Sequence, residues 1–378
     1  MAEFWRQKFW RRLDWVLVLS VIPLLGAGLV TMNSFTGDRY FFDRQLIWIS
    51  ISLVVFLVLS LVDWHFLRQS GVLMALFSLG CAALLGLWFL GSTFRGAQSW
   101  FALGGISLQP ADFMKLVLIL MLAKYFSRRH VEIAHIRHII ISGLYALIPF
   151  VLILLQPDFG SAIIVFLIWL GMAMFSGISK KHLFLVLSTG TIAFVILWTM
   201  VFGQYQKERI ITFIHPLADL QGAGYNSFQS TIAVGSGQIL GKGVGYGTQS
   251  RLKFLPEYET DFIFAAFAEE WGFVGVLLLF TLFGLVIWRI IKQAMIGESN
   301  FESLFGIGLA VFLMSHFIVN VGMNIGLLPI TGLTLPFVSY GGSHLLVEFI
   351  GLGILMGMRQ YSRGFHRDDM KNEFLGVS

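Results

Sequence analysis

The sequence predicts an all-α polytopic membrane protein: ten transmembrane helices with one large extracytoplasmic loop between helices 7 and 8. Three observations predict it. Of 378 residues, 57% are hydrophobic and 12% charged, with a mean hydropathy of +0.79, whereas soluble domains carry roughly 25% charged residues. Apolar runs of the ~20 residues that cross a hydrocarbon core recur along the chain. The strand-length alternation of a membrane barrel is absent, which leaves a helical bundle.

The spans fall at about 14–35, 44–64, 70–92, 108–127, 137–156, 160–178, 182–203, 261–288, 303–326 and 342–358. The basic MAEFWRQKFWRR precedes the first. That run is too long for a signal-peptide core and no small-residue cleavage site follows it, so it reads as a retained span. The single cysteine, Cys81, lies within the third run and excludes a disulfide framework or a Cys-based metal site within one chain. With the N-terminus inside, the short segments on that side hold most of the 26 Lys and Arg residues. This positive-inside bias places both termini in the cytoplasm and the 204–260 loop outside. The net charge of +5 then sits beside anionic head groups rather than marking a nucleic-acid binder. One membrane domain, 1–361, is followed by a cytoplasmic tail, 362–378, of mixed charge that is expected to be disordered.

The 204–260 loop is long enough to suggest function. Within it GYNSFQSTIAVGSGQIL suits a short amphipathic or re-entrant helix, and GKGVGYGTQS supplies turns. The Gly-rich stretch is no phosphate-binding P-loop: Gly235 comes one position early, and Gly243 stands where Ser or Thr would follow Lys242.

Ionisable residues carry the chemistry. GTQSRLKFLPEYETDFIFAAFAEEWGFVG runs straight from the loop into the eighth span and sets Asp261 where water meets hydrocarbon, with Glu257 and Glu259 before it. In the fourth span Asp112 and Lys115 share one helical face, either as a self-neutralising ion pair or as part of a site. Pro110 suits that helix's first turn. Asp158 either starts the sixth helix or faces a ligand, and Arg209 is either a snorkelling anchor or a phosphate ligand. Glu269, Glu270, His344 and Glu348 are either buried and neutral or line a polar cavity. Arg95, Asp112, Lys115, Asp158, Arg209, Lys242, Glu257 and Asp261 all map to the outer face, which a scatter of structural charges would not do.

Such a face suits an amphiphilic anionic substrate, with cations on a phosphate or pyrophosphate head group and a carboxylate as general base. Arg209, Lys115 and Lys242, in that order, are the cations proposed for the pyrophosphate. A divalent cation, Mg or Mn, could accompany a phosphate, although no ligand cage is visible. The competing class is a transporter, but charges thin out below Glu269 and Glu270, which favours a one-sided enzyme. A purely structural scaffold leaves the outward charges unexplained.

In order along the chain stand RGAQSW (95–100), QPADFMK (109–115), QPDFGSA (156–162), YQKERI (205–210), GAGYNSFQS (222–230), GSGQILGKG (235–243), FLPEYETDFIFA (254–265) and NVGMNIGLLPITGLTLPFVSYGGS (320–343). With these motifs the chain resembles the SEDS family of shape, elongation, division and sporulation proteins, over most of its length. GTQSRLKFLPE is closer to the RodA branch than to FtsW. The resemblance implies a peptidoglycan glycosyltransferase that polymerises lipid II into glycan strands for cell elongation and rod shape. It implies the bacterial cytoplasmic membrane, with the site outside. It places the family's catalytic Asp at Asp261 and its acidic residue and Lys at Asp112 and Lys115. It also implies a class B penicillin-binding protein and other elongation-machinery membrane proteins as partners. The chain departs from the family at Ala111-Asp112, usually Ser-Glu, and at Glu259, usually His. A shorter carboxylate at 112 preserves an ion-pair role better than an exact catalytic geometry. A lipid II flippase, or the division or sporulation paralogue, is the alternative.

Overall fold

The computed structural model describes residues 13–34, 40–94, 97–103, 106–128, 136–201, 203, 207, 211, 213, 224–252 and 254–375. Its helices are α1 (Trp15–Ser34), α2 (Tyr40–Leu59), α3 (Ser70–Leu90), α4 (Pro110–Ser127), α5 (Ile136–Leu154), α6 (Phe159–Phe175), α7 (Lys180–Ile196), α8 (Tyr225–Ser236), α9 (Thr248–Arg251), α10 (Ile263–Met295), α11 (Asn300–Asn324) and α12 (Gly342–Leu375). Among the described residues seven helices are long and apolar enough to cross a membrane: α1, α2, α3, α5, α7 with its continuation to Met200, α10 and α11. α6 is apolar but shorter. The chain is a multi-pass helical membrane protein. α4 owes its weaker apolar character to Asp112, Lys115 and Lys124 within 18 residues.

Three differences from the sequence reading have local causes. Between α3 and α4 lies a small antiparallel sheet, β1 (Ser92–Phe94), β2 (Ala97–Leu103) and β3 (Ile106–Leu108), paired in that order. Strands this short leave too little alternation to find. α12 runs on to Leu375, where disorder was expected. No proline interrupts it. Third, α10 is not one continuous rod. Gly272 has φ 64° and ψ −167°, a conformation open to glycine and closed to most other residues.

That break frees helical carbonyls, and the Gly-rich loop takes them up. Lys242 and Gly243 donate their N–H groups to the carbonyls of Glu269 and Glu270, both at 3.0 Å, while Phe273 and Val274 donate to Gln238 and Ile239 at 2.9 and 3.1 Å. Irregular backbone next to hydrocarbon requires such pairing. The strands of this seam approach too closely for a side chain. A Cβ on Gly272 would lie 2.2 Å from the Gly241 nitrogen, and one on Gly237 would lie 2.0 Å from the Ala268 carbonyl oxygen.

The bundle core is a continuous apolar cluster in which α12 packs on α2 and α10 on α1 and α11. Into it drops the 331–339 part of the 325–341 segment, which joins α11 to α12, while Ile325 and Leu327 at its start are exposed. Its Val338 carbonyl would lie 2.1 Å from a Cβ on Gly28 of α1, and its Thr331 carbonyl 2.6 Å from one on Gly160 of α6. This buried connection positions the site.

Candidate active site

The turn that precedes α10 is built on Glu257, whose φ of 50° lets its carbonyl accept from Thr260 and Phe262 at 3.2 and 3.1 Å. Asp261 sits in this turn, partly exposed. Its backbone carbonyl accepts from Asn320 Nδ2 and Asn324 Nδ2, both at 3.0 Å. The 325–341 segment grips the same turn: Ser339 Oγ donates to the Thr260 carbonyl at 2.7 Å, and the Tyr340 N–H donates to the Glu259 carbonyl at 2.9 Å. Asp261 Oδ2 lies 3.6 Å from the position of a Cβ on Gly332. The carboxylate therefore lies beside Gly332, in ordinary contact range of a Cβ built there.

On the other side of that connection is an enclosed ionic cluster. Lys115 Nζ donates to Asp112 Oδ1 at 2.9 Å, with both side chains almost fully buried. His316 Nε2 is 3.4 Å from Lys115 Nζ, and Ser343 Oγ donates to Asp112 Oδ2 at 3.3 Å. The His344 ring lies between two carboxylates, with Nδ1 3.4 Å from Asp112 Oδ1 and Nε2 3.0 Å from Glu348 Oε1. These two contacts have ion-pair distances without hydrogen-bond alignment. The other Glu348 oxygen accepts the N–H of Phe337, a residue at φ 62°. A bulky residue in that region is a backbone outlier. Glu348 thus links the ion pair to the segment that clamps the Asp261 turn.

Lys242 pairs elsewhere. Its Nζ donates to Glu269 Oε1 at 2.7 Å and to Thr248 Oγ1 at 2.8 Å. Glu269 also accepts from the Gln249 N–H and from Thr248 Oγ1. Glu270 accepts from Ser34 Oγ at 2.5 Å and the Gly245 N–H at 2.9 Å. Asp158 caps α6, accepting from the Ser161 N–H at 3.0 Å, and takes a hydrogen bond from Gln109 Nε2 at 2.8 Å. Arg95 and Arg209 lie outside the described residues.

Of the sequence candidates, then, Asp112 and Lys115 meet each other and the α12 pair His344 and Glu348, while Asp261 and Glu257 share one turn. Lys242 and Asp158 are engaged by partners of their own. Sequence reasoning passed over His316, Asn320 and Asn324. Their spacing of four residues puts all three on one face of α11, and that polar stripe in an apolar helix was the available signal. Among the described residues no group of three or more His, Cys, Asp or Glu side chains could hold a metal ion.

Fold and site define a multi-pass membrane protein with a clamped carboxylate at one membrane face, backed by a buried ion pair. The family model for FtsW, RodA and SpoVE, described as cell cycle protein, matches residues 6–364. The chain belongs to that family. It is 35% identical over 370 residues to the probable peptidoglycan glycosyltransferase FtsW of Haemophilus influenzae, covering 94% of this chain and 91% of that one. It is 34% identical to the peptidoglycan glycosyltransferase MrdB of Escherichia coli K12, covering 95% and 97% of the two chains. Stage V sporulation protein E of Bacillus subtilis is also 34% identical, with 93% and 98% covered. Among solved structures, a chain of a peptidoglycan synthase complex that coordinates polymerization and crosslinking aligns with TM-score 0.79 and 29% identity, over 92% and 98% of the two chains. The rod shape determining protein RodA of Thermus thermophilus aligns with TM-score 0.69 and 29% identity, over 92% and 96%.

Proposed function

We propose that this protein is a peptidoglycan glycosyltransferase that polymerises lipid II into glycan strands at the outer face of the cytoplasmic membrane. The observation that carries the reading is the clamp on the Asp261 turn. Asn320, Asn324, Ser339 and Tyr340 bind the backbone carbonyls of residues 259–261, which fixes the point from which the Asp261 side chain leaves the chain. A preorganised carboxylate at the lip suits a general base that takes the proton from the acceptor sugar hydroxyl. That oxygen attacks the anomeric carbon of the lipid-linked donor strand, and the lipid pyrophosphate departs with the bonding electron pair. One base acting on the acceptor leads to direct inversion.

Arg209 is the cation assigned to the departing pyrophosphate. Lys115 and Lys242 are occupied by Asp112 and Glu269, so their support of that charge is indirect. Asp112 and Lys115 hold the buried side of the site together, a role that tolerates the shorter carboxylate at 112. All ten long helices cross the membrane in this reading, with both termini cytoplasmic. The RodA-like GTQSRLKFLPE stretch supports cell elongation rather than division as the setting. The similarity to a chain of a synthase complex that coordinates polymerization and crosslinking supports a class B penicillin-binding protein as partner.

Purified Asp261→Asn, assayed on lipid II beside the wild type, tests the reading. General-base assistance is worth about 10²–10⁴ in rate, so glycan polymer should fall by that factor while thermal stability is kept. A stable mutant that polymerises at the wild-type rate removes Asp261 as the base. A wild-type protein that translocates lipid II and makes no polymer is a flippase.

A further inference from the structure

The clearest feature not absorbed by that chemistry is the outer surface of the Gly-rich loop. Ile239, Leu240 and Tyr246 are 67%, 79% and 69% exposed, an unusual degree for large apolar side chains held in an ordered loop. Gln238, Ile239, Lys242 and Gly243 bond through their backbones to the α10 break, so the exposed side chains stand on a pinned segment. The residues it is bonded to, Phe273 and Val274, are themselves 62% and 53% exposed and begin an outward stripe that continues through Leu277 and Leu278.

The depth of this patch can be read from a ladder between two spans. α1 and α10 run antiparallel. At one end Asp14, just before α1, accepts from Arg289 Nε at 3.0 Å. At the other end Ser34, the last residue of α1, donates to Glu270. The 20 residues of α1 at 1.5 Å each cover ~30 Å, one hydrocarbon thickness. Ser34 and Glu270 thus mark the boundary between acyl chains and head groups on the Asp261 side. Gly245 donates to Glu270 itself, and Ile239 accepts from Val274, one helical turn further in. The apolar patch lies at that boundary, continuous with the lipid-facing stripe of α10.

We propose that the Gly237–Gly247 loop is a membrane anchor, with Ile239 and Leu240 inserted among the outer acyl chains of the leaflet on the Asp261 side and Tyr246 at head-group level. The occupant of the patch is bilayer lipid. Tyr at the interface with aliphatic residues below it is the composition such a depth favours. Lys242 fits the same placement: its charge is neutralised by Glu269, so the loop carries no unpaired lysine into the boundary. The anchor fixes the loop over the Gly272 break, and through Thr248 and Gln249 it ties the segment leading to Asp261 to the membrane surface. A lipid-linked substrate would be met at its own depth.

The test measures depth and is independent of catalysis. In a Cys81→Ser background, Ile239→Cys, Leu240→Cys and Tyr246→Cys are made singly, labelled with bimane and reconstituted into bilayers containing brominated phosphatidylcholine. Leu278→Cys serves as the hydrocarbon control and Glu298→Cys as the water control. Each loop site is mostly exposed, so the label displaces little packing, and the three sites give independent readings. Quenching at 239 and 240 by lipid brominated near the glycerol, at least half that of Leu278 by its best-matched lipid, is the expected result. Quenching by aqueous iodide at the Glu298 level, with no lipid quenching, overturns the proposal by placing the loop in water. Protection from both quenchers overturns it too, by placing the patch against protein. Glycan synthesis by the labelled proteins separates the two readings, because failed polymerisation with lipid-quenched labels leaves the anchor intact.

Discussion

Lys115 and Lys242 each meet a carboxylate at similar distances, 2.9 and 2.7 Å, in very different surroundings. Lys115 and Asp112 lie one helical turn apart on α4 and are sealed inside the bundle at 1% and 3% exposure. Lys242 and Glu269 come from separate elements, and the lysine keeps 29% of its side chain exposed. The enclosed pair has its neighbours, His316, Ser343 and His344, chosen for it by three-dimensional packing. At the open pair Glu269 still has the Gln249 N–H and Thr248 Oγ1 when the lysine is removed. The same chemical pair therefore does two jobs. One joins α4 to the α11 and α12 histidines inside the bundle, and the other ties the Gly-rich loop to α10.

The largest effect that would sharpen this contrast is expected from Lys115→Ala. It removes the cation hydrogen-bonded to Asp112 inside the bundle, leaving only Ser343 and the unaligned His344 ring beside that carboxylate, at a cost of about 3–5 kcal/mol, read as a drop in the thermal unfolding temperature in detergent. Asp112→Asn combined with Lys115→Met should recover most of that loss, since breaking a buried pair costs more than replacing it. A fully stable, fully active Lys115→Ala would break the comparison. Next is Gly272→Ala. The added Cβ meets the Gly241 backbone nitrogen in a region of φ and ψ closed to alanine, and overpacking of this kind costs about 1–3 kcal/mol. Its distinguishing readout is faster hydrogen exchange of the Lys242 and Gly243 amides.

Lys242→Ala should cost less, about 1–2 kcal/mol, because Glu269 keeps other donors and the pair is partly solvated. Equal losses for Lys115→Ala and Lys242→Ala would show that enclosure does not decide the outcome. The smallest effect concerns Tyr340, beside the Asp261 turn. Burial raises its hydroxyl pKa, the nearby Tyr40 raises it further, and Arg44 opposes both. The folded protein holds this proton more tightly than the unfolded chain. The resulting stability is present below pH ~10 and is lost as pH rises through the folded value. Tyr340→Phe should therefore show a flatter fall in stability between about pH 9 and 11, measured by alkaline unfolding.

Much of the site was legible wherever its signal was local. Asp112 and Lys115 are three residues apart, and His344 and Glu348 four, so each pair could be read from helical spacing alone. Asp158 at the start of α6 and Pro110 at the start of α4 follow from the same short-range rules. The joining of the two charged pairs was not legible, because α4 and α12 are separated by more than two hundred residues of chain. Ser34 with Glu270 was hidden for the same reason, and Lys242 with Glu269, 27 residues apart, because the fold of the Gly-rich loop back onto α10 has no local signature. The short sheet between α3 and α4 was missed because two of its three strands have only three residues and carry almost no periodic signal.

The sequence by itself determined the membrane class and the apolar runs that form the seven long helices, because transfer of side chains into hydrocarbon is a local property summed along the chain. Only the tertiary structure decided where α10 breaks, since Gly272 is one glycine among 40 until Gly241 is seen against it. Only it showed residues 331–339, most of them buried, packed between the Asp261 turn and the Asp112 cluster. Those outcomes depend on which backbones come within hydrogen-bonding distance, and that distance is set by the packing of helices remote in sequence.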